Sequence, residues 1–128
     1  MGTTLARELL LEGAVVHVYD QAMPSNSLLS ISANGGIRYH KGSVTDYDKL
    51  VELFLSVKPD CVIHLASYGM SGGSMLERGR CNNVNVLGVG LLLAAMKVGN
   101  VAHLVYVSTY NVVYGGEVIE NGDESMEH

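Results

Sequence analysis

Three short apolar runs rich in β-branched residues, at 15–19, 61–65 and 103–107, constrain this chain more than any other feature. Each is continuous rather than alternating, which is how a strand reads when both of its faces are buried. Helical stretches separate them. Leu5 and Leu9, with Ala6 and Leu10, repeat at helical spacing over residues 2–12, and Gly13 follows as a C-cap. Residues 37–41 read as a weaker strand. Thr45-Asp46-Tyr47-Asp48 then supplies an N-cap with an acid three residues on, before a helix whose stripe is Leu50, Val51, Phe54 and Val57. That helix stops ahead of Pro59. Residues 68–79 hold four glycines and read as a flexible loop, and 82–99 as a long apolar helix with a core stripe of Val86, Leu91, Leu92 and Ala95. The order is helix, strand, weak strand, helix, strand, helix, strand. Strands alternating with helices in this way predict an α/β unit whose parallel sheet is covered on both faces.

Composition narrows the function classes. With 48% apolar and 16% charged residues the 128-residue chain is globular, one domain or part of one. A net charge of -5 with only 8 Lys and Arg argues against nucleic acid or an anionic membrane as partner. Cys61 and Cys81 lack metal-ligand spacing and suit a reducing compartment. The N-terminus has no signal-peptide pattern, and the apolar stretch 84–98 is shorter than the roughly 20 residues that span a bilayer. These features predict a cytoplasmic protein.

The run 104–107 breaks abruptly into Ser108-Thr109-Tyr110-Asn111. Hydroxyls and an amide at the carboxyl end of a buried strand mark a ligand crevice, because open parallel sheets bind ligands there. Asp20, closing the strand 15–19, can accept both hydroxyls of a ribose and repel a 2′-phosphate. His64 reads as a satisfied core histidine and Asp46 as a helix cap. His17, His40, His103 and His128 show no ligand spacing.

Four motifs carry a resemblance to a known family: His64-Leu65-Ala66-Ser67-Tyr68-Gly69, Asn85-Val86-Leu87-Gly88, the segment 108–115, and Val118-Ile119-Glu120-Asn121-Gly122-Asp123-Glu124. In this order and spacing they resemble the amino-terminal part of an extended short-chain dehydrogenase/reductase, in the 3β-hydroxysteroid dehydrogenase/isomerase branch and within it the family 42E members. The resemblance covers nearly the whole chain. It implies a Rossmann-type doubly wound sheet that lacks its first strand, with residues 1–128 as a partial NAD-binding domain and no substrate domain.

The resemblance also implies roles. Gly2 matches the last fingerprint glycine beside the pyrophosphate, and Asp20 the ribose acid that selects NAD. Val44 would pack on the adenine, while Ser43 replaces the family's usual acid. Leu65, Ala66 and Ser67 would let the backbone approach the cofactor. Asn85 would bond both backbone and the crevice near the nicotinamide ribose, and Ser108 would lie by the cofactor. Tyr110 falls at the family's substrate-holding Ser/Thr position, a departure in size, with Thr109 adjacent. The family's Tyr-x-x-x-Lys pair, in which lysine lowers the phenol pKa, would follow His128.

The implied parent enzyme oxidises a secondary alcohol of a sterol-like substrate with NAD, admits a homo-oligomer, and can be membrane-associated. Two other readings stay open: a non-catalytic NAD- or partner-binding fragment, and a nucleotide-sugar epimerase or dehydratase. By itself the chain is expected not to catalyse, to bind NADH no tighter than millimolar, and to be poorly stable. Losing a middle strand opens a slot of roughly 10 Å between neighbours about 4.8 Å from it on each side. A truncated gene product or an alternative start would give such a chain.

Overall fold

The computed structural model describes residues 1–22, 36–69 and 72–109, together with Pro24, Asn26, Ser30, Val112, Gly116, Glu120, Gly122, Asp123, Ser125 and Met126. The ordered elements follow the predicted sequence: α1 (Gly2–Leu11), β1 (Val16–Asp20), β2 (Ile37–Lys41), α2 (Tyr47–Val57), β3 (Cys61–His64), α3 (Arg78–Val98) and β4 (His103–Tyr106). β1 pairs with β2 in parallel, Val16 opposite Ile37 through Asp20 opposite Lys41. β3 pairs with β4 in parallel, Cys61 opposite His103 through His64 opposite Tyr106.

No ladder joins β1 to β3, so the described strands form two separate two-stranded sheets. In a doubly wound order of 3-2-1-4-5 this is the pattern left when the central position is vacant. Each sheet has its own core. On β1–β2, Ala6 of α1 packs with Val16 and Ile37, flanked by Leu9, Leu10, Val18 and Tyr39. On β3–β4, Leu50 and Phe54 of α2 meet Leu92, Ala95 and Met96 of α3 and Val101, with Val62 and Leu104 beneath. Tyr19 reaches from β1 into this second core. Helices cover only one face of β3–β4 among the described residues: Val105, on the other face, is 50% exposed and Cys61 is exposed too.

Several local expectations shift. Of the two cap residues read from sequence, Asp46 is the one that caps α2: its carboxylate accepts the Lys49 N–H, while the Thr45 hydroxyl pairs with that of Ser43 at 2.8 Å. At the other end Lys58 adopts a left-handed cap ahead of Pro59. The loop expected over 68–79 contains a 3₁₀ turn, Gly72–Leu76, and α3 begins at Arg78, four residues early. Its first stretch, Arg78–Asn82, passes through a π turn, Asn83–Leu87, before the α-helical Gly88–Val98.

The whole of α3 is 21 residues, long and apolar enough to cross a membrane, unlike the shorter stretch read from sequence. Leu92, Ala95 and Met96 pack in the α2–α3 core, while Val86, Leu87, Leu93 and Val98 of the same helix are exposed. Val86 is not core: it is 64% exposed, whereas Gly88, Leu92, Ala95 and Met96 are buried. Six residues before Leu92 places a side chain about 120° around a helix from it.

His64 is buried as expected, but its Nε2 finds no hydrogen-bond partner among the described residues. Its ring lies against Tyr106 with centroids 5.6 Å apart.

Leu50→Ala should lower stability by about 2–5 kcal/mol, enough to unfold a marginal chain. Val86→Ala should change it by no more than about 0.5 kcal/mol, both read by urea unfolding. Burial holds His64 below the ordinary histidine pKa, so near and below about 6.5 the unfolded chain binds more protons than the folded one. Stability should therefore fall from about pH 7 to about pH 5, and His64→Leu should make that fall shallower.

Candidate functional site

Parallel pairing places the carboxyl ends of β1 and β2 on one edge, and those of β3 and β4 likewise on one edge. The loops leaving those ends carry most of the site residues named from sequence. Gly2, the first residue of α1, comes to Leu65 just beyond β3: a Cβ there would sit 3.8 Å from the Leu65 Cδ1 atom, an ordinary contact. The amino end of α1 therefore lies beside the carboxyl end of β3, with its first N–H groups free of intrahelical partners and suited to an anion.

Asp20 is the exposed last residue of β1. Its Oδ1 accepts the Ala22 N–H at 2.8 Å, which turns the chain away from the strand. Tyr39 fixes the same turn, donating to the carbonyls of Asp20 and Ala22. Beyond β2, the Tyr19 hydroxyl donates to the Ser43 carbonyl at 3.0 Å, and burial pushes that phenol above its usual pKa, with Asp46 adding to the shift. The Tyr19 ring lies where a Gly42 side chain would be, so only glycine fits at that position. Val44 is half-buried, and a Cβ on Gly88 would come within 2.8 Å of its Cγ2 atom. The missing side chain at Gly88 lets α3 approach the loop after β2.

Asn85 sits in the π turn of α3. Its Oδ1 accepts the Tyr68 N–H and its Nδ2 donates to the Tyr68 carbonyl, both at 2.8 Å. The side-chain amide thus acts as a strand partner for one residue of the loop after β3. One extra residue per turn, as a π turn provides, is a recurrent feature of functional sites.

The same loop carries a network that the sequence reading missed. The Tyr68 hydroxyl donates to Glu77 Oε1 at 2.9 Å and accepts from Arg80 Nη1 at 3.1 Å. The Arg80 guanidinium lies 4.2 Å from the centre of the Tyr68 ring, and the hydrogen bond to Glu77 raises that phenol's pKa. The signal was present as Glu77 and Arg80 three residues apart at a helix start, obscured by the surrounding glycines.

Ala66 and Ser67 are exposed beside Tyr68, and Ser108 and Thr109 are exposed beyond β4. The Thr109 carbonyl accepts the Val112 N–H at 3.2 Å. Tyr110 lies outside the described residues. The structure thus brings Gly2 to Leu65, Val44 to α3, and Asn85 to the backbone beside Ser67. Asp20 stands at the same edge of its own sheet as Val44. His17 and His40, read from sequence as unrelated, are paired across β1 and β2, with Nδ1 and Nε2 2.9 Å apart. Asn85→Ala should leave both Tyr68 backbone groups without their partner. It should cost about 1–3 kcal/mol, and the Tyr68 amide should exchange hydrogen faster than in the unsubstituted chain.

All of residues 1–128 match the 3-beta hydroxysteroid dehydrogenase/isomerase family. The short-chain dehydrogenase/reductase family 42E member 1 of Bos taurus is 38% identical over 125 residues, covering 98% of this chain and 30% of that protein. The Homo sapiens counterpart is 36% identical over the same share of each. A dTDP-D-glucose 4,6-dehydratase of Dictyostelium discoideum is 31% identical over 87% of this chain and 25% of its own. Among solved structures, the UDP-glucose 4-epimerase of Bifidobacterium longum in complex with NAD+ and UDP superposes with a TM-score of 0.84. It is 25% identical, over 98% of this chain and 38% of the epimerase. The fold is the Rossmann type of these enzymes, and this chain spans about a third of their length. A match that runs from the first residue to the last, with both strand pairs overlaying a complete enzyme's, leads to one conclusion: the chain belongs to the 3-beta hydroxysteroid dehydrogenase/isomerase family.

Proposed function

We propose that these residues form the NAD-binding part of an oxidoreductase acting on the secondary CH–OH group of a sterol-like substrate. Asp20 carries the reading. An exposed carboxylate at the end of β1, with Oδ1 held by the Ala22 N–H, fits a ribose diol and repels a 2′-phosphate. Bound NAD would supply the hydride acceptor.

The chain's own residues would do the binding. The amino end of α1 at Gly2 takes the pyrophosphate, since an uncrowded Cα there lets phosphate oxygens reach the helix N–H groups. Val44 offers an aliphatic face to the adenine. Leu65, Ala66 and Ser67 line the middle of the crevice with little side-chain bulk. Asn85 acts through Tyr68, holding the loop backbone at a fixed height beside the nicotinamide ribose. Ser108 and Thr109 are exposed past β4 on that side, with Tyr110 at the position where the family holds substrate oxygen.

The sterol-like substrate rests on family membership and on the segment 118–124. A second reading, a nucleotide-sugar epimerase or dehydratase, draws support from the Dictyostelium dehydratase and the Bifidobacterium epimerase. Tyr110 weighs against it, because a short hydroxyl side chain suits a sugar oxygen there better than a phenol.

Titration with NADH and NADPH, followed by nicotinamide fluorescence and by ligand-observed NMR for weak binding, tests the cofactor assignment. NADH should bind in the millimolar range, about tenfold or more tighter than NADPH, and Asp20→Asn should erase the difference. Equal binding of both by the unsubstituted chain would remove the basis for NAD. For the substrate class, the protein purified from its natural source should form NADH with a 3β-hydroxysterol. Conversion of a nucleotide sugar to its C4 epimer or to a 4-keto-6-deoxy product, which leaves no net NADH, with no NADH formed from the sterol, would favour the sugar reading.

A further inference from the structure

Two imidazoles meet between β1 and β2, on the face turned away from α1. His17 Nδ1 and His40 Nε2 are 2.9 Å apart, the ring centres 5.1 Å apart, and the ring planes differ by 7°. A centre spacing that long around so short a nitrogen contact leaves one ring radius on each side. The rings therefore meet edge to edge, nearly in one plane, and not face to face. The facing lone-pair directions of the two nitrogens lie close to one line, with one proton between them.

The surroundings limit what else can occupy that line. In the register His17 stands opposite Arg38, and His40 opposite Tyr19, so both rings share a face with a guanidinium and a phenol. Among the described residues, no third His, Cys, Asp or Glu gathers with them. Tetrahedral zinc needs four ligands, and calcium or magnesium needs a shell of oxygens. A monovalent ion with a filled d shell takes two nitrogen ligands in line and brings the least charge against Arg38.

We propose that His17 and His40 form a two-coordinate site for copper(I), seated between Nδ1 and Nε2 in place of the shared proton. With metal–nitrogen bonds of about 2 Å, the gap has to widen by about 1 Å, within reach of small side-chain rotations on neighbouring strands. The protons balance. In the neutral pair one ring donates its N–H to the other; on binding, that ring carries its hydrogen on its remaining nitrogen, exchanged through water. No net proton leaves and no electron moves.

Free thiols bind copper(I) strongly, so the test uses the full chain with Cys61→Ser and Cys81→Ser, its fold checked by circular dichroism. If that double variant does not fold, the two thiols are capped as methyl disulfides instead. With one equivalent of copper(I) under anaerobic conditions, X-ray absorption should show two nitrogen neighbours in line and no sulfur. His17→Asn and His40→Asn should each weaken binding at least about tenfold against a chromophoric copper(I) chelator. Sulfur neighbours, three or more ligands, or a smaller loss in either variant would overturn the site. Silver(I) gives a readout that needs no histidine substitution: the ring nitrogens of His17 and His40 should both couple to the silver nucleus, and coupling to neither or to one alone refutes the proposal.

Discussion

The two halves of this fold share no backbone ladder among the described residues, so side-chain packing alone relates them. Tyr19 makes that connection. It leaves β1 on the face opposite α1, packs into the core built by α2 and α3, and donates its hydroxyl to the carbonyl of Ser43. One side chain of β1 thereby reaches the core of the other half and ties down the loop after β2. The approach of Gly2 to Leu65 is a second, smaller link at the carboxyl edge. Backbone hydrogen bonds between strands would resist sliding of one sheet against the other, whereas apolar contacts are non-directional. The relation of Asp20 to Leu65, and so any site that uses both, depends on those few contacts.

That dependence explains why the site residues fall into two kinds. Asp20, with its turn tied by Ala22 and Tyr39, and Asn85, with both ends of its amide committed to Tyr68, are held by local bonds within one half. Val44 against Gly88 and Gly2 against Leu65 are contacts across elements distant in sequence, and their geometry is only as firm as the packing behind them. A cofactor lying along the carboxyl edge would touch both kinds. Its binding would draw the halves together, which is favourable only to the extent that the empty site already holds them near that spacing.

The strands were legible because each is a short continuous apolar run rich in β-branched residues, a pattern the sequence offers in few other places, even though one face of β3–β4 is left uncovered among the described residues. The start of α3 was not. Arg78-Gly79-Arg80-Cys81-Asn82 has no apolar period, and its helix is held by Glu77, Arg80 and Tyr68 instead of by burial. Asp46 and Thr45 are both good cap residues, and only the partner of each hydroxyl or carboxylate decides between them. Asp20 and the loops after β3 and β4 could be placed because a strand end is visible as a change in residue type. The His17–His40 pair could not, since 23 residues of separation say nothing until the register of β1 against β2 is known.

His64 joins the two themes. A histidine directly before Leu65-Ala66 looks like ordinary core, and it is buried, yet its Nε2 has no partner among the described residues. A buried nitrogen left unpaired costs about 1–3 kcal/mol, a large share of the stability of a small domain. Replacement by an apolar residue of similar volume would remove that cost, so packing alone does not call for a histidine here. It sits at the carboxyl end of β3, stacked on Tyr106 of β4, where the strand ends open toward the loops that carry Ser67 and Ser108. The polar group with most to gain from a further hydrogen-bonding group at this edge is therefore already buried in the strand that leads into it.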